Sequence, residues 1–498
     1  MSHIISKTLF LEYRYCPKNI WLKLNKRELL DKFTLSDFEK HLAEQGNEVE
    51  SCARGLFSKG VEVKSNGEGA CIETVQLITS GVKTLFQSTF IVDGFIARND
   101  ILHFDEQNDC WDLFEVKGTN SLKESGERDH IEDVGFQVSV LKRANVRIGK
   151  YFLIHLNKEY VRDGDLDLGL LFKIEDVTEK VNERLVDIEK QMDSAREYLN
   201  RESEPEGGCD CVYKGRGKHC STFKHSNSHV PDYSVHDLSS IREKKVTELI
   251  ENGIFELNDI PDEFELSDNQ KLQISAHVRQ SPIIDLGSVK DELDKLEFPL
   301  YFFDYEAFAP AIPMFNGYSP YNPIPFQFSL HILDAPNTEM RHVEFLHMER
   351  TDPSHLVAEI LDKHISNKGT VIAWNKSYET RVNEQIAARL PQYNSLFSRI
   401  NSSMYDLRDI FQKQYYVHHG FKGKTSIKKV LPILAPDQRY DVLDIQEGGQ
   451  AADAWWRMVS PVPGDEEKAK IAKDLKIYCG LDTYAMYAIW KHLVDLMN

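Results

Sequence analysis

The stretch "PLYFFDYEAFAP", residues 299–310, closes a run of aromatic residues with Asp304 and Glu306 two positions apart. On a strand, residues i and i+2 face the same side, so these two acids project together while Tyr305 faces away. Two carboxylates at the end of a buried strand cost free energy unless a cation neutralises them. Farther on, "TVIAWNKSYETRV" reads as a strand running into a helix, with Asn375 and Glu379 four apart at the junction. Near the end, "KDLKIYCGLDTYAMYAIWKHL" reads as a helix on which Tyr478 and Asp482 share a face. A strand pair, a junction and a late helix can converge on one acidic site, and such a site suits hard divalent cations, Mg²⁺ or Mn²⁺.

At 498 residues the chain exceeds what one hydrophobic core usually serves, which predicts two or three domains. No apolar run approaches the roughly 18 to 20 residues of a membrane span, and "MSHIISKTLFLEYRYCPKNI" lacks the layout of a signal peptide. A cytoplasmic protein without a membrane partner is expected. Its eight cysteines should then be thiols or metal ligands. A formal net charge of −19 argues against a uniformly basic nucleic-acid coat but leaves room for a local basic groove. "KGKTSIKKVLP" supplies Lys422, Lys424, Lys428 and Lys429 in one short segment, which suits a phosphate backbone. A solvated charge run is the alternative.

The pattern is α/β twice over. Residues 1–228 open with a helix-like "SKTLFLEYRYCPKNIWLKL" and an acidic helical stretch containing Glu48. Strand-like "STFIVDGFIARNDILHF" and "CWDLFEVKG" follow, then a helix in "HIEDVGFQVSVLKRANV" and a strand in "KYFLIHLN". Residues 229–298 read as a helical connector. Residues 299–498 predict strands near 299–304, 326–333 and 370–374, and helices near 355–365, 376–389 and 466–496. In the first region Asp100 lies in a strand-like run, while Glu115 and Lys117 share a strand face. Two acids can hold a metal, and a lysine beside them can orient an attacking water or stabilise a charged transition state. Asp133, Gln137 and Leu141 follow at helical spacing. Cys16 lies near the start, and Cys209, Cys211 and Cys220 cluster late in this region; Cys52, Cys71, Cys110 and Cys479 read as ordinary thiols.

These residues carry two resemblances. Asp100, Glu115 and Lys117 resemble the motif of PD-(D/E)XK nucleases, and Gln137 resembles the supporting helical glutamine of RecB-like members, which often carry a histidine or acid upstream where Glu48 stands. One early cysteine and three late ones resemble the staple of iron-sulphur RecB-like nucleases, implying a [4Fe-4S] cluster on Cys16, Cys209, Cys211 and Cys220. Their spacing differs from that family's, and structural Zn²⁺ is the alternative. The second half resembles DnaQ-like exonucleases of the RNase H-like fold, with Asp304 and Glu306, then Asn375 with Glu379, then Tyr478 with Asp482. There the resemblance implies metal ligation by the carboxylates, Glu379 standing where aspartate is common, and water positioning by the tyrosine. Asp406 is a candidate supporting acid. The implied architecture is an N-terminal PD-(D/E)XK nuclease-like domain, a helical linker and a C-terminal RNase H-like exonuclease domain. The implied function is metal-dependent cleavage of nucleic acid, DNA over RNA. The alternatives are a nucleic-acid-binding scaffold with dead sites and a zinc-stapled enzyme acting on small nucleotides.

Overall fold

A computed structural model describes residues 3–26, 28–29, 37–126 and 129–497, the side chains of 37–42 excepted. It is an α/β chain with two mixed sheets in two units. The first unit comprises Met1–Val230 with Pro310–Tyr321, the second Pro231–Ala309 with Asn322–Asn498. Among the described residues no helix is long and apolar enough to cross a membrane.

The first unit's sheet holds β1 (Ile5–Ser6), β2 (Val61–Glu62), β3 (Thr84–Val92), β4 (Phe95–Asp105), β5 (Cys110–Lys117), β6 (Ile148–Leu156) and β7 (Phe172–Asp176). Strands β2 to β7 lie in sequence order, and β1 runs parallel beside β4. Asp93 and Gly94, with φ of 51° and 81°, form the left-handed turn that joins β3 to β4 as a tight hairpin. The helix His130–Arg143 is buried along most of its length between this sheet and the helix Thr178–Leu199. Phe136 from that helix stacks on Phe10 at 5.2 Å and meets Phe95 edge-on at 6.1 Å. The opening stretch, expected as one helix, is two: Lys7–Tyr15 and Pro17–Asn25. Pro17 forces the break, because it drives the preceding Cys16 to extended backbone at φ −157°, ψ 97° while itself suiting a first helical turn.

In the second unit helices Glu243–Glu251, Asp268–Arg279 and Leu286–Leu293 precede the main sheet. A small ladder pairs β8 (Ile283–Ile284) with a late strand, Tyr416–Val417. The main sheet holds β9 (Leu300–Phe308), β10 (Ile324–Leu333), β11 (Arg341–Leu346), β12 (Thr370–Ala373) and β13 (Met404–Asp406). Their order is β11-β10-β9-β12-β13, antiparallel from β11 to β9 and parallel from β9 to β13. Parallel neighbours need crossovers, and the helix Ser354–His364 lies between β11 and β12 in the chain. Strict alternation sorts β9 into two faces. Phe303 and Tyr305 enter one core with Phe328, Val357 and Phe397. Phe302 meets Tyr487 and Trp490 of the long helix Asp465–Asp495 on the other, and Asp304 and Glu306 share that face.

The helix Gly448–Val459 starts beside those acids: a Cβ on Gly448 would lie 3.6 Å from Glu306 Oε2. Trp455 pins it, fully buried, stacked on Phe326 at 4.8 Å and donating from Nε1 to the His347 carbonyl at 2.8 Å. Trp455→Ala is expected to cost about 3–5 kcal/mol, read as a lowered denaturation midpoint at unchanged slope. A midpoint equal to wild type removes Trp455 from this anchoring role.

Candidate functional site

In the first unit Ile101 pairs with Phe114, so Asp100 on β4 comes beside Glu115 on β5. Asp100 Oδ2 accepts from the Val116 N–H at 2.8 Å. Gln137 donates from Nε2 to Glu115 Oε2 at 2.7 Å and to Asp133 Oδ1 at 3.2 Å, so strand and helix meet there. Lys117 Nζ lies 2.7 Å from Glu115 Oε1 and also bonds Asp133. Two residues that sequence reasoning missed complete the group. Lys7 Nζ stands 2.5 Å from Glu115 Oε1 and 3.1 Å from Asp133 Oδ1. Glu50, not the exposed Glu48, faces Asp100, and Gln87 Nε2 reaches both acids. Burial pushes Asp100 well up, and neighbouring Glu115 adds to it. Burial would raise Glu115 too, but the ammonium groups of Lys117 and Lys7 outweigh it and hold that carboxyl far below its usual range. A cavity of about 340 Å³ adjoins Lys117 and Asp133, with His130 and Tyr321 in its wall.

The second unit gathers a denser acid cluster. Carboxylate oxygens of Asp304 and Glu306 and the Sγ of Cys479 lie within 4.8 Å of one another, which moves Cys479 from ordinary thiol to site residue. Asp482, one turn on from Cys479, accepts from the hydroxyl of Tyr440, another residue the sequence did not single out. Burial and then Asp482 raise both Asp304 and Glu306. Asp482 itself is pushed up to about 6 by burial, hydrogen bonds from Tyr440 and Tyr478 and the charge of Lys428 working against the rise. Glu379, at the start of the helix Ser377–Arg389, is 2% exposed and pushed up to about 8 by burial, and its Oε2 has no hydrogen-bond partner. Asn375 adopts φ 71° at the preceding junction, where Asp406 accepts the N–H groups of Asn375 and Lys376 at 3.0 Å each. Asp406 thus ties the turn that presents Glu379. Burial and Asp482 keep the Tyr440 and Tyr478 hydroxyls protonated.

The four lysines of residues 422–429 separate. Lys428 sits 5.6 Å from the ring centroids of both Tyr440 and Tyr478, within reach of the acids, whereas Lys422, Lys424 and Lys429 are exposed. Beside Lys428 opens a cavity of about 520 Å³ walled by Arg439, Tyr440, Gln446 and Glu447. The acid oxygens and the unpartnered Glu379 oxygen fit a hard divalent cation.

A third group is sulphur. Cys16, Cys209, Cys211 and Cys220 are buried free thiols whose Sγ atoms all lie within 4.8 Å of one another, with Cys209 and Cys220 at 3.7 Å. Hydrogen bonds from the other thiols pull Cys209 well below its usual range, and Asn227 Nδ2 donates to its Sγ at 3.2 Å. Gly208 leaves room for that amide, since a Cβ there would lie 2.1 Å from Asn227 Oδ1. Asn19, three residues past Cys16, accepts from Thr222 N at 3.1 Å and Thr222 Oγ1 at 2.9 Å and so ties the late cysteine loop to the second helix. This cluster can hold a metal ion.

Against known proteins, residues 301–426 match a family described as a domain of unknown function, DUF2779. The chain is 27% identical over 233 residues to the uncharacterized protein MG366 of Mycoplasma genitalium, covering 42% of this chain and 34% of that protein. It is 26% identical over 230 residues to the MG366 homolog of Mycoplasma pneumoniae, with the same coverage. It thus spans about a third of the length of these curated relatives. No solved structure matches it.

The raised acids fix the sign of a pH effect. Unfolded carboxylates titrate near about 4, whereas Asp482 and Glu379 titrate at about 6 and about 8 in the fold. Over that window the native chain binds more protons than the unfolded one, so stability present below about pH 4 is lost as pH rises through each folded value. In chelator, the melting temperature is expected to fall from about pH 5 to about pH 9, and Glu379→Gln to flatten the upper part of the fall. A Glu379→Gln chain that keeps the wild-type slope above about pH 7 contradicts this assignment.

Proposed function

We propose that this protein is a metal-dependent nuclease that hydrolyses phosphodiester bonds, DNA in preference to RNA. The second unit is read as a DnaQ-like exonuclease of the RNase H-like fold, releasing nucleotides from a 3′ end, and the first as a RecB-like PD-(D/E)XK nuclease. The observation that carries the reading is the meeting of Asp304 and Glu306 from β9 with Asp482, Tyr478 and Lys428 in one buried cluster. Asp304, Glu306, Glu379 and Asp482 would hold Mg²⁺ or Mn²⁺, which supplies an activated water and stabilises the leaving oxygen. Tyr478, kept protonated, orients the water through its hydroxyl. Lys428 meets the charge of the phosphate, and the cavity at its side accepts sugar and base. In the first unit Asp100 and Glu115 would ligate the metal, and Lys117 would stabilise developing charge.

The same proposal assigns the four cysteines a single tetrahedral ion, with Zn²⁺ favoured over [4Fe-4S]. Zinc–sulphur bonds of about 2.3 Å place tetrahedral sulphurs about 3.8 Å apart, close to the 3.7 Å between Cys209 and Cys220. A four-iron cluster puts a separate iron behind each thiolate and so spreads the sulphurs wider. Metal analysis of protein purified without oxygen should find one equivalent of zinc in a colourless sample. Iron with sulphide in a brown sample overturns the zinc assignment.

End-labelled single- and double-stranded DNA and RNA, with Mg²⁺ and Mn²⁺, test the nuclease reading. Asp304→Ala and Asp482→Ala are expected to abolish terminal release, and Tyr478→Phe to lower turnover at unchanged metal affinity. Glu115→Ala and Lys117→Ala should leave trimming in place while removing cleavage by the first site. Trimming at wild-type rate by Asp304→Ala and Asp482→Ala sinks the proposal for the second unit. Binding without cleavage under every metal leaves the scaffold reading in its place.

A further inference from the structure

Lys7 is not needed by the chemistry assigned to the first site, because Lys117 already stands beside Glu115. The fold nevertheless builds it in. The two residues before it form β1, laid parallel on β4, the strand that carries Asp100. Ser6 then caps the helix Lys7–Tyr15, its side chain accepting from the Leu9 N–H at 3.3 Å. Backbone pairing and cap together fix the direction in which the first helical side chain leaves. That side chain places its ammonium 2.5 Å from Glu115 and 3.1 Å from Asp133. Glu115 is almost fully buried, so an ammonium this close is a strong partner to its charge.

We propose that Lys7 is a positioning residue, a built-in second cation that occupies the Glu115–Asp133 edge of the first site. The site then takes one divalent cation between Asp100 and Glu115, at an affinity that Lys7 holds down by competing for Glu115. This rests on the first unit being a metal-binding nuclease site. It goes further in naming a cation that replaces a second metal there.

Mn²⁺ titration followed by electron paramagnetic resonance tests this in the full chain carrying Asp304→Ala and Asp482→Ala, so that the first site dominates the signal; thiolates take Mn²⁺ poorly. Lys7→Ala is expected to tighten Mn²⁺ about tenfold or to admit a second ion, and Lys7→Arg to restore the parent titration. Unchanged affinity and stoichiometry in Lys7→Ala overturns the proposal, as does Lys7→Arg behaving like Lys7→Ala. Normal Mn²⁺ binding with no cleavage in any chain removes the nuclease reading alone and leaves Lys7 decided by the titration. Absence of Mn²⁺ binding in every chain removes the metal reading and this proposal together.

Discussion

Like charges forced into one low-dielectric volume govern the architecture of the second unit. Asp482 and Glu379 raise the proton affinity of Asp304 and Glu306 on top of the rise from burial. Such a cluster persists only if the surrounding structure holds it against its own repulsion. The aromatic face of β9 supplies that hold: Phe303 and Tyr305 are locked in a core on one side, which leaves the acids no choice but the other. Tyr440 bridges to Asp482 from a loop, and the helix anchored by Trp455 begins beside Glu306. Packing energy collected over apolar area is thereby spent on keeping anions together, a pattern that serves cation binding more directly than stability.

The first unit meets the same difficulty differently. Its acids are cross-paired with ammonium groups, Lys7 and Lys117 sharing Glu115 while both reach Asp133. Glu115 is consequently held far below the usual carboxylate range, where burial and neighbouring acids push Asp304 and Glu306 well above it. Carboxylates ion-paired to lysines therefore favour a fixed charge pattern, and a cluster of acids without such ion pairs favours a site whose charge follows metal and pH. The helix that starts at Lys7 is followed directly by Cys16, so its two ends reach an acidic site and a sulphur site.

How much of this was legible in sequence follows from the range of the interactions. Asp304 with Glu306, Glu115 with Lys117 and Tyr478 with Asp482 are local pairs set by strand or helix period, and each could be read from spacing. β9, β10 and β12 were readable because apolar and aromatic residues predominate in each, whereas β11 is largely exposed and β13 is three residues long, too little for a periodic signal. Lys7 and Glu115 are 108 positions apart, and Tyr440 and Asp482 are 42 apart, in a segment without periodicity. Only the sheet order and the long helix bring them together. Glu48 looked suitable by residue type, yet the helix turns Glu50 toward Asp100. The break at Cys16 did have a local signal in Pro17, since proline restricts the residue before it.

Net charge adds a further constraint on any polyanionic partner. The chain carries a formal −19, yet attraction need only prevail within a Debye length, about 8 Å at physiological ionic strength. Lys428 lies inside that range of the acid cluster and next to the open cavity, and exposed Lys422, Lys424 and Lys429 belong to the same short segment. Four carboxylates without a divalent ion would repel a phosphate whatever those lysines contribute. A bound divalent cation, together with Lys428, offsets most of that local charge while the distant surface stays acidic and screened. A cation held there would lessen the repulsion of any phosphate by electrostatics alone, without any movement of the fold.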